Sequence, residues 1–330
     1  MQNSNTSEDK DVQMSVRLIE CIDGEFDQSE LHHALKTDGV AVVRGLVSGS
    51  ALDGCREAIA KHMQTPEAAG VPGYWKVDHA KVIQKATSVG GPIIPLLVDS
   101  RVTTAISALM GGDCVLSEAT VKYDFPTSYI YFPMHRDFLI GWKKTKNSEL
   151  VLSESHMDSV LGVNCIYYLE DTVDGALQYV KGSHLKGPYS IGNYTDLPRD
   201  ERKQYDKDLA VCSGQAGDMV IFDSRGFHGP AQPSQSPRQA ILLEYYNTNI
   251  FGHTQVSPMP LWSCDLKDLT TEQLFVLGVG AGFLVPVHEY TYTRFRNNGA
   301  YKFVSYLIEN AYLLSHVRQS IKTLLVGSKQ

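Results

Sequence analysis

The spacing of hydrophobic positions changes twice along the chain. In the first third, and again after about residue 250, apolar residues recur at helical intervals, which is typical of amphipathic helices. Between these parts, runs rich in β-branched and aromatic residues alternate with Gly, Pro, Asp and Ser clusters, as in strands and turns. The pattern predicts helices over 29–36, 51–62 and 94–110, a helix beginning near 269–272, and a helix over 300–325. It predicts strands over 40–43, 115–123, 129–132, 160–169, 177–180, 218–222 and 240–246.

This order of elements predicts a mainly β protein with flanking helices, whose strands form a sandwich or barrel. No internal repeat or low-complexity linker divides the chain. We therefore predict a disordered tail at 1–15 and one domain at 16–330. Within that domain we expect a helical N-terminal part at about 16–113, a β core at about 114–250 and a helical C-terminal part at about 251–330.

Composition and charge exclude several classes of protein. The 330 residues carry a net charge of −7 and no long basic stripe, so nucleic acid is not an expected partner. The longest apolar run, 274–287, is interrupted by glycines and a proline and is shorter than the ~20 residues of a membrane span, so no membrane interaction is expected. The cysteines form no CxxC pair, and the opening residues lack the apolar core of a signal peptide. These features predict reduced thiols and a cytoplasmic protein.

Four side chains of the β region form the candidate chemistry, namely His135, Asp137, His228 and Arg238. Residues two apart on an extended segment point to the same side, so His135 and Asp137 can bind one ion. His228 on a neighbouring strand can complete a facial triad, a donor set that suits Fe(II) and leaves coordination positions open. Arg238 begins the next strand, where its guanidinium can bind the far carboxylate of a 2-oxo acid cosubstrate through two charged hydrogen bonds.

A second His-x-Asp pair, His156 and Asp158, competes for the role of ligand pair. It lies only a few residues before the strand predicted at 160–169, which leaves little room for the loop that should follow a ligand pair. We therefore favour His135 and Asp137.

Four further segments extend the pattern in a recognisable order: GVAVVRG at 39–45, MHRDF at 134–138, DGALQYVKGSH at 174–184, and GDMVIF at 217–222, which runs into His228 and Arg238. In this order and placement the chain resembles the phytanoyl-CoA hydroxylase-like Fe(II)/2-oxoglutarate dioxygenases over about 37–247. Two positions depart from that family's pattern. Lys181 stands in place of a proline, and Asp174 stands in place of an asparagine.

The resemblance implies a double-stranded β-helix core, a jelly-roll-like or cupin-like double sheet with flanking helices. It implies that His135, Asp137 and His228 bind Fe(II). It also implies 2-oxoglutarate as cosubstrate, held by Arg238, and dioxygen as oxidant. The implied reaction couples decarboxylation of 2-oxoglutarate to succinate and carbon dioxide with oxidation of an unactivated C–H bond. The carboxylate of Asp137 argues against halogenation, so hydroxylation is expected, with desaturation or cyclisation as variants.

The substrate is not readable from the sequence. A small molecule of secondary or amino-acid-derived metabolism is the first expectation, and an acyl-CoA is the second. A non-catalytic jelly-roll protein that binds a ligand without turnover stays open as a different class, and a zinc hydrolase with the same ligands is less favoured because no general base is marked. The sequence predicts no particular oligomeric state.

Overall fold

The computed structural model describes residues 15–64, 74–138, 158–187, 191–261 and 264–283. Its helices are α1 (Gln28–Thr37), α2 (Gly49–Gln64), α3 (Ile94–Leu97), α4 (Ser100–Met110), α5 (Arg199–Tyr205), α6 (Thr248–Phe251) and α7 (Thr271–Val276). Its strands are β1 (Arg17–Glu20), β2 (Val40–Arg44), β3 (Tyr74–Val77), β4 (Ala80–Ile83), β5 (Cys114–Asp124), β6 (Gly162–Tyr168), β7 (Thr172–Val180), β8 (Leu209–Gly214), β9 (Met219–Asp223), β10 (His228–Pro230), β11 (Arg238–Asn247), β12 (Thr254–Gln255) and β13 (Gly282–Phe283). The helix predicted over 300–325 and nearly all of the tail predicted at 1–15 lie outside these ranges.

Two sheets form the β core. The larger sheet has the order β1-β2-β9-β6-β11-β5-β4-β3, and a smaller one has the order β10-β7-β8. Side chains from both sheets share one buried cluster, which includes Val42, Ile166, Leu177, Cys212 and Phe222. Because the two sheets bury these side chains against each other, the core is the double-stranded β-helix that the sequence resemblance implies.

Helices cover the outer face of the larger sheet. Alternate residues of β2 divide between the two faces, since Val42 joins the cluster between the sheets and Val43 packs on the helical side. Leu31 of α1, Ile59 of α2 and Ile106 of α4 belong to that helical-side cluster. The helices thus close one face of the larger sheet and leave its other face to the interior between the sheets.

The strand prediction was correct for most of the core, but it missed part of the N-terminal region. The predicted helical part at 16–113 does contain helices and the predicted strand β2, yet it also supplies β1, β3 and β4. Strands β3 and β4 form an antiparallel hairpin, and β4 pairs with β5, so this hairpin extends the larger sheet. These short strands escaped the sequence analysis because four residues give too few repeats to establish a period.

Two predicted elements are wrong in detail. The helix expected over 94–110 is divided into α3 and α4, because the Asp99 side chain accepts a hydrogen bond from the Arg101 backbone at 3.0 Å and begins a new helix. Residues 129–132 do not form a strand. The Gln232 side chain instead accepts hydrogen bonds from the backbone N–H groups of Tyr131 and Phe132, which removes donors that a sheet ladder would need.

One helical stretch of the described chain, Gly91–Met110, is long and apolar enough to cross a membrane. More than half of it is buried inside the fold. It includes α3 and α4, whose apolar side chains pack against the larger sheet. The hydropathy of this stretch is therefore explained by its place in the core.

Candidate active site

His135, Asp137 and His228 converge at one end of the space between the sheets. His135 follows β5 and pairs with His228 at the start of β10, and the two residues exchange backbone hydrogen bonds of 2.8 and 2.9 Å. Their side chains and the Asp137 carboxylate bring three potential ligand atoms within 4.8 Å of one another. The structure therefore brings together the three residues that the sequence analysis selected as metal ligands.

Strand-like alternation places His135 and Asp137 on the cavity side, as the sequence predicted. Arg136 between them points the other way, where its guanidinium donates hydrogen bonds to the backbone oxygens of Ser183 and Lys186 and lies 3.9 Å from the Phe227 ring centre. This buried guanidinium anchors the segment from the back. The competing His156 lies outside the described residues.

The hydrogen bonds of the two imidazole rings engage Nδ1 and leave Nε2 of each ring facing the proposed metal position. The Nδ1 atom of His135 lies 3.0 Å from the Pro133 carbonyl, and that of His228 lies 3.0 Å from the Gly226 carbonyl. A carbonyl only accepts, so each Nδ1 carries a proton, and Nε2 is the nitrogen of each ring that is left to bind a metal. Gly226 is required here, because a Cβ at this position would clash with the buried Tyr179 hydroxyl.

The electrostatics favour an ionised Asp137. Burial raises the pKa of this carboxyl, but the His228 and His135 imidazoles outweigh burial and hold the pKa well below its usual range. Burial lowers the pKa of His228, and Asp137 more than offsets this effect and raises it. Nε2 of His135 lies 3.2 Å from one Asp137 oxygen, and Nε2 of His228 lies 3.4 Å from the other. Two imidazoles and a carboxylate in this arrangement fit Fe(II).

Asn164 on β6 holds the Asp137 carboxylate in place. Its Nδ2 donates a hydrogen bond of 2.6 Å to Asp137 Oδ2. Its Oδ1 is buried and has no hydrogen-bond partner among the described residues. The sequence analysis missed Asn164, because only the pairing of β6 with its neighbours brings it beside Asp137.

Replacing Asn164 by alanine is expected to lower the affinity for Fe(II) by about 10- to 100-fold, because the carboxylate loses the donor that orients it. Anaerobic titration of the cofactor-free protein with Fe(II) measures this effect. Asn249→Ala is the control, since Asn249 is exposed and its side chain donates only to the Gly111 carbonyl among the described residues. Equal affinity in the Asn164 variant and the control would mean that Asn164 does not position the metal site.

The triad opens into a cavity of about 460 Å³ between the sheets. Arg238 lines this cavity, as do Lys122 on β5 and Tyr131. The structure thus brings all four predicted site residues to one cavity. Lys122 is a cavity residue that the sequence analysis did not identify.

The buried Asp124 carboxylate holds the guanidinium of Arg238 in a fixed position. Its Nε and Nη2 donate to Asp124 Oδ2 at 3.0 and 2.5 Å, and its Nη1 donates to the Gly175 carbonyl at 2.9 Å. Lys122 lies 2.9 Å from the other Asp124 oxygen, and the Tyr131 hydroxyl donates to that oxygen at 2.6 Å. Two cations against one carboxylate leave this end of the cavity with a net positive charge, which suits the carboxylate of an anionic ligand.

Asp124 is expected to be essential for the stability of this cation cluster. Burial raises the pKa of Asp124, but the positive charges of Arg238 and Lys122 lower it by more than burial raises it. The net shift is therefore downward from 3.8. Asp124→Asn should lower the free energy of unfolding by about 3 kcal/mol at neutral pH, because two buried cations lose their counter-charge. A depressed pKa stabilises the fold above the unfolded value and ceases to do so as pH falls through the folded value.

The difference in unfolding free energy between wild type and Asp124→Asn should therefore stay constant from neutral pH down to about pH 5 and shrink only below pH 3.8. Denaturant unfolding at several pH values measures it. A difference that already shrinks between neutral pH and about pH 5 would contradict the lowered pKa of Asp124.

Comparison with known proteins agrees with this fold. The family model for phytanoyl-CoA dioxygenase (PhyH) matches residues 35–240, which is more than half of the chain and includes all four predicted site residues. The chain therefore belongs to the phytanoyl-CoA dioxygenase family. A search of curated proteins finds no match.

Solved structures give the same fold at low sequence identity. EctD from S. alaskensis, crystallised with 2-oxoglutarate and 5-hydroxyectoine, is 17% identical with a TM-score of 0.52, over 72% of this chain and 84% of that chain. The non-heme alpha-ketoglutarate-dependent carbocyclase SnoK from nogalamycin biosynthesis is also 17% identical, with a TM-score of 0.51, over 66% of this chain and 83% of that chain. At this identity the likeness establishes the fold.

Membership of the family makes the protein an enzyme, a 2-oxoglutarate-dependent dioxygenase. Together with the His-Asp-His group, it confirms the predicted cofactors, which are Fe(II), 2-oxoglutarate and dioxygen. The family does not fix the reaction at the substrate or the substrate itself.

Proposed function

We propose that this enzyme hydroxylates an unactivated C–H bond of a small molecule, with His135, Asp137 and His228 as its iron ligands. The observation that carries the proposal is the convergence of three ligand atoms within 4.8 Å on the wall of a cavity. Iron with 2-oxoglutarate and dioxygen would supply the oxidising power for this step. Desaturation or cyclisation would need the same site.

We also propose that Arg238 and Lys122 bind the far carboxylate of 2-oxoglutarate. Asp124 and the Gly175 carbonyl hold the guanidinium of Arg238 in one orientation, so little conformational entropy is lost when the cosubstrate binds. Each terminal nitrogen of Arg238 retains one N–H beyond the bond that it makes within the protein. Lys122 adds a second positive charge beside it.

The protein's contribution to catalysis would be orientation and exclusion of water. The backbone pairing of His135 with His228 and the hydrogen bond from Asn164 fix the ligand set before metal binds. Apolar side chains between the sheets, including Ile166 and Phe222, line the cavity and lower its water content.

The experiment that tests the proposal is metal analysis followed by product analysis. Protein purified without oxygen should contain iron. Once dioxygen is admitted, it should consume 2-oxoglutarate and release succinate, and a substrate should gain the mass of one oxygen atom. Removing the metal with a chelator should stop succinate release, and Fe(II) should restore it. Protein that holds zinc and consumes no 2-oxoglutarate after iron loading would contradict the proposal.

A further inference from the structure

The two ends of the cavity carry opposite charge. Strand β11 runs from Arg238, at the cationic end, to Glu244, which also lines the cavity. The two residues are six positions apart on the strand, so their Cα atoms are separated by roughly 20 Å at the usual rise per residue. Glu118 on β5 lies directly opposite Glu244 and lines the same cavity. An anionic cosubstrate held at Arg238 therefore leaves an acidic end unused.

Three hydrogen-bond acceptors form one row across three neighbouring strands. The register of β11 places Glu244 opposite Glu118 on one side and opposite Asn164 on the other. All three side chains line the cavity. Asn164 contributes an Oδ1 atom that is buried and has no donor among the described residues. Because the Nδ2 of Asn164 donates to Asp137, this row of acceptors lies immediately beside the proposed metal site.

Neither glutamate is paired with a cation in direct contact. No salt bridge involves Glu118 or Glu244 within the part of the chain that the structure describes. Glu118 accepts one hydrogen bond of 3.1 Å from the Thr120 hydroxyl, and Glu244 accepts one from the Tyr246 hydroxyl. Lys85 is the cation that acts on Glu118, but its amine donates to the Ser257 hydroxyl. The acidic end of the cavity therefore has more hydrogen-bond acceptors than hydrogen-bond donors.

We propose that the substrate is an organic cation whose ammonium group binds the row formed by Glu118, Glu244 and Asn164. An ammonium ion has three donors and no acceptor, which matches three acceptors in a row. The cation would complete the hydrogen bonds of these groups and balance the negative charge of the facing glutamate pair. Its neighbouring carbon atoms would then lie beside the metal site. This inference rests on the proposed function, and it disfavours an acyl-CoA, whose phosphates would meet two carboxylates.

Binding of a simple cation tests the inference without turnover. Butylammonium is the probe, and butanol is the neutral control with the same carbon chain. Ligand-detected NMR titration of the metal-free protein gives the affinity of each. Wild type should bind butylammonium at least about tenfold more tightly than butanol, the difference expected from one charge-assisted hydrogen bond.

Variants of the two glutamates test whether they cause the preference for butylammonium over butanol. The isosteric double variant Glu118→Gln, Glu244→Gln should lose the preference for the cation, and each single variant should lose part of it. Glu57→Gln is the matched control, since Glu57 is exposed on α2, and it should keep the preference. An unchanged unfolding transition verifies that each variant is folded.

The outcomes separate this inference from the proposed function. Equal binding of butylammonium and butanol by wild type, or a preference that survives in the double variant, would overturn the cationic substrate. If wild type with Fe(II) still binds 2-oxoglutarate in that case, the inference alone fails. If wild type does not bind 2-oxoglutarate, the proposed function fails as well.

Discussion

Asp137→Ala is expected to abolish iron binding and to reduce turnover by about 10³-fold or more, as for the loss of one member of a catalytic unit. The carboxylate is the one anionic member of the proposed ligand set, and His135 and His228 are oriented towards it. Without it the two imidazoles cannot hold a divalent ion with comparable affinity. Iron content after anaerobic reconstitution and succinate release in the same sample measure the two effects.

The same loss is expected for His135→Ala and for His228→Ala. His156→Ala is the sharpest control, because His156 belongs to the competing His-x-Asp pair of the sequence. Our assignment requires that this variant keep its iron and its turnover. A variant of His156 that loses iron, together with a variant of His135 that keeps it, would show that the ligand pair was assigned to the wrong segment.

Arg238→Ala is expected to lower the affinity for 2-oxoglutarate by about 100-fold and also to destabilise the protein. The first effect follows from the loss of charged donors to a carboxylate, worth about 2.7 kcal/mol. The second follows because Asp124 keeps only Lys122 as a cationic partner in a buried setting. Titration with 2-oxoglutarate and denaturant unfolding separate the two effects. Arg238→Lys should recover only part of the affinity, because an ammonium lacks the two-pronged geometry of guanidinium.

Arg199→Ala serves as the control for this experiment, since Arg199 is exposed at the start of α5. It should leave both the affinity and the stability unchanged. If Arg238→Ala bound 2-oxoglutarate as tightly as the control, the guanidinium would be a purely structural partner of Asp124, and Lys122 would be the remaining candidate for the cosubstrate carboxylate.

The grouping of the proposed metal ligands could be predicted from the sequence, because their relation is local or follows from the alternation of side chains along a strand. His135 and Asp137 are two apart on an extended segment, and alternation alone places them on one side. The hydrophobic period also located β5, β6, β9 and β11, whose strands are long enough to repeat it. The resemblance to a family then connected these strands to His228 and Arg238.

The residues that surround the proposed metal ligands could not be predicted, because their positions depend on the register between strands that are distant in the sequence. Asn164 reaches Asp137, and Glu118 faces Glu244, only through the pairing of β5, β11 and β6. A shift of one residue would turn each of these side chains to the helical face of the sheet. Lys122 was missed for the same reason, since its role follows from its contact with Asp124.

The most direct test of the central claim is the addition of 2-oxoglutarate to the Fe(II)-loaded protein without oxygen, followed by visible spectroscopy. If His135, Asp137 and His228 hold the iron and Arg238 holds the cosubstrate, the metal-to-ligand charge-transfer band of a chelated 2-oxo acid should appear and saturate with one equivalent of 2-oxoglutarate. Absence of the band from folded protein that contains iron would contradict the proposed site and favour a binding protein without turnover.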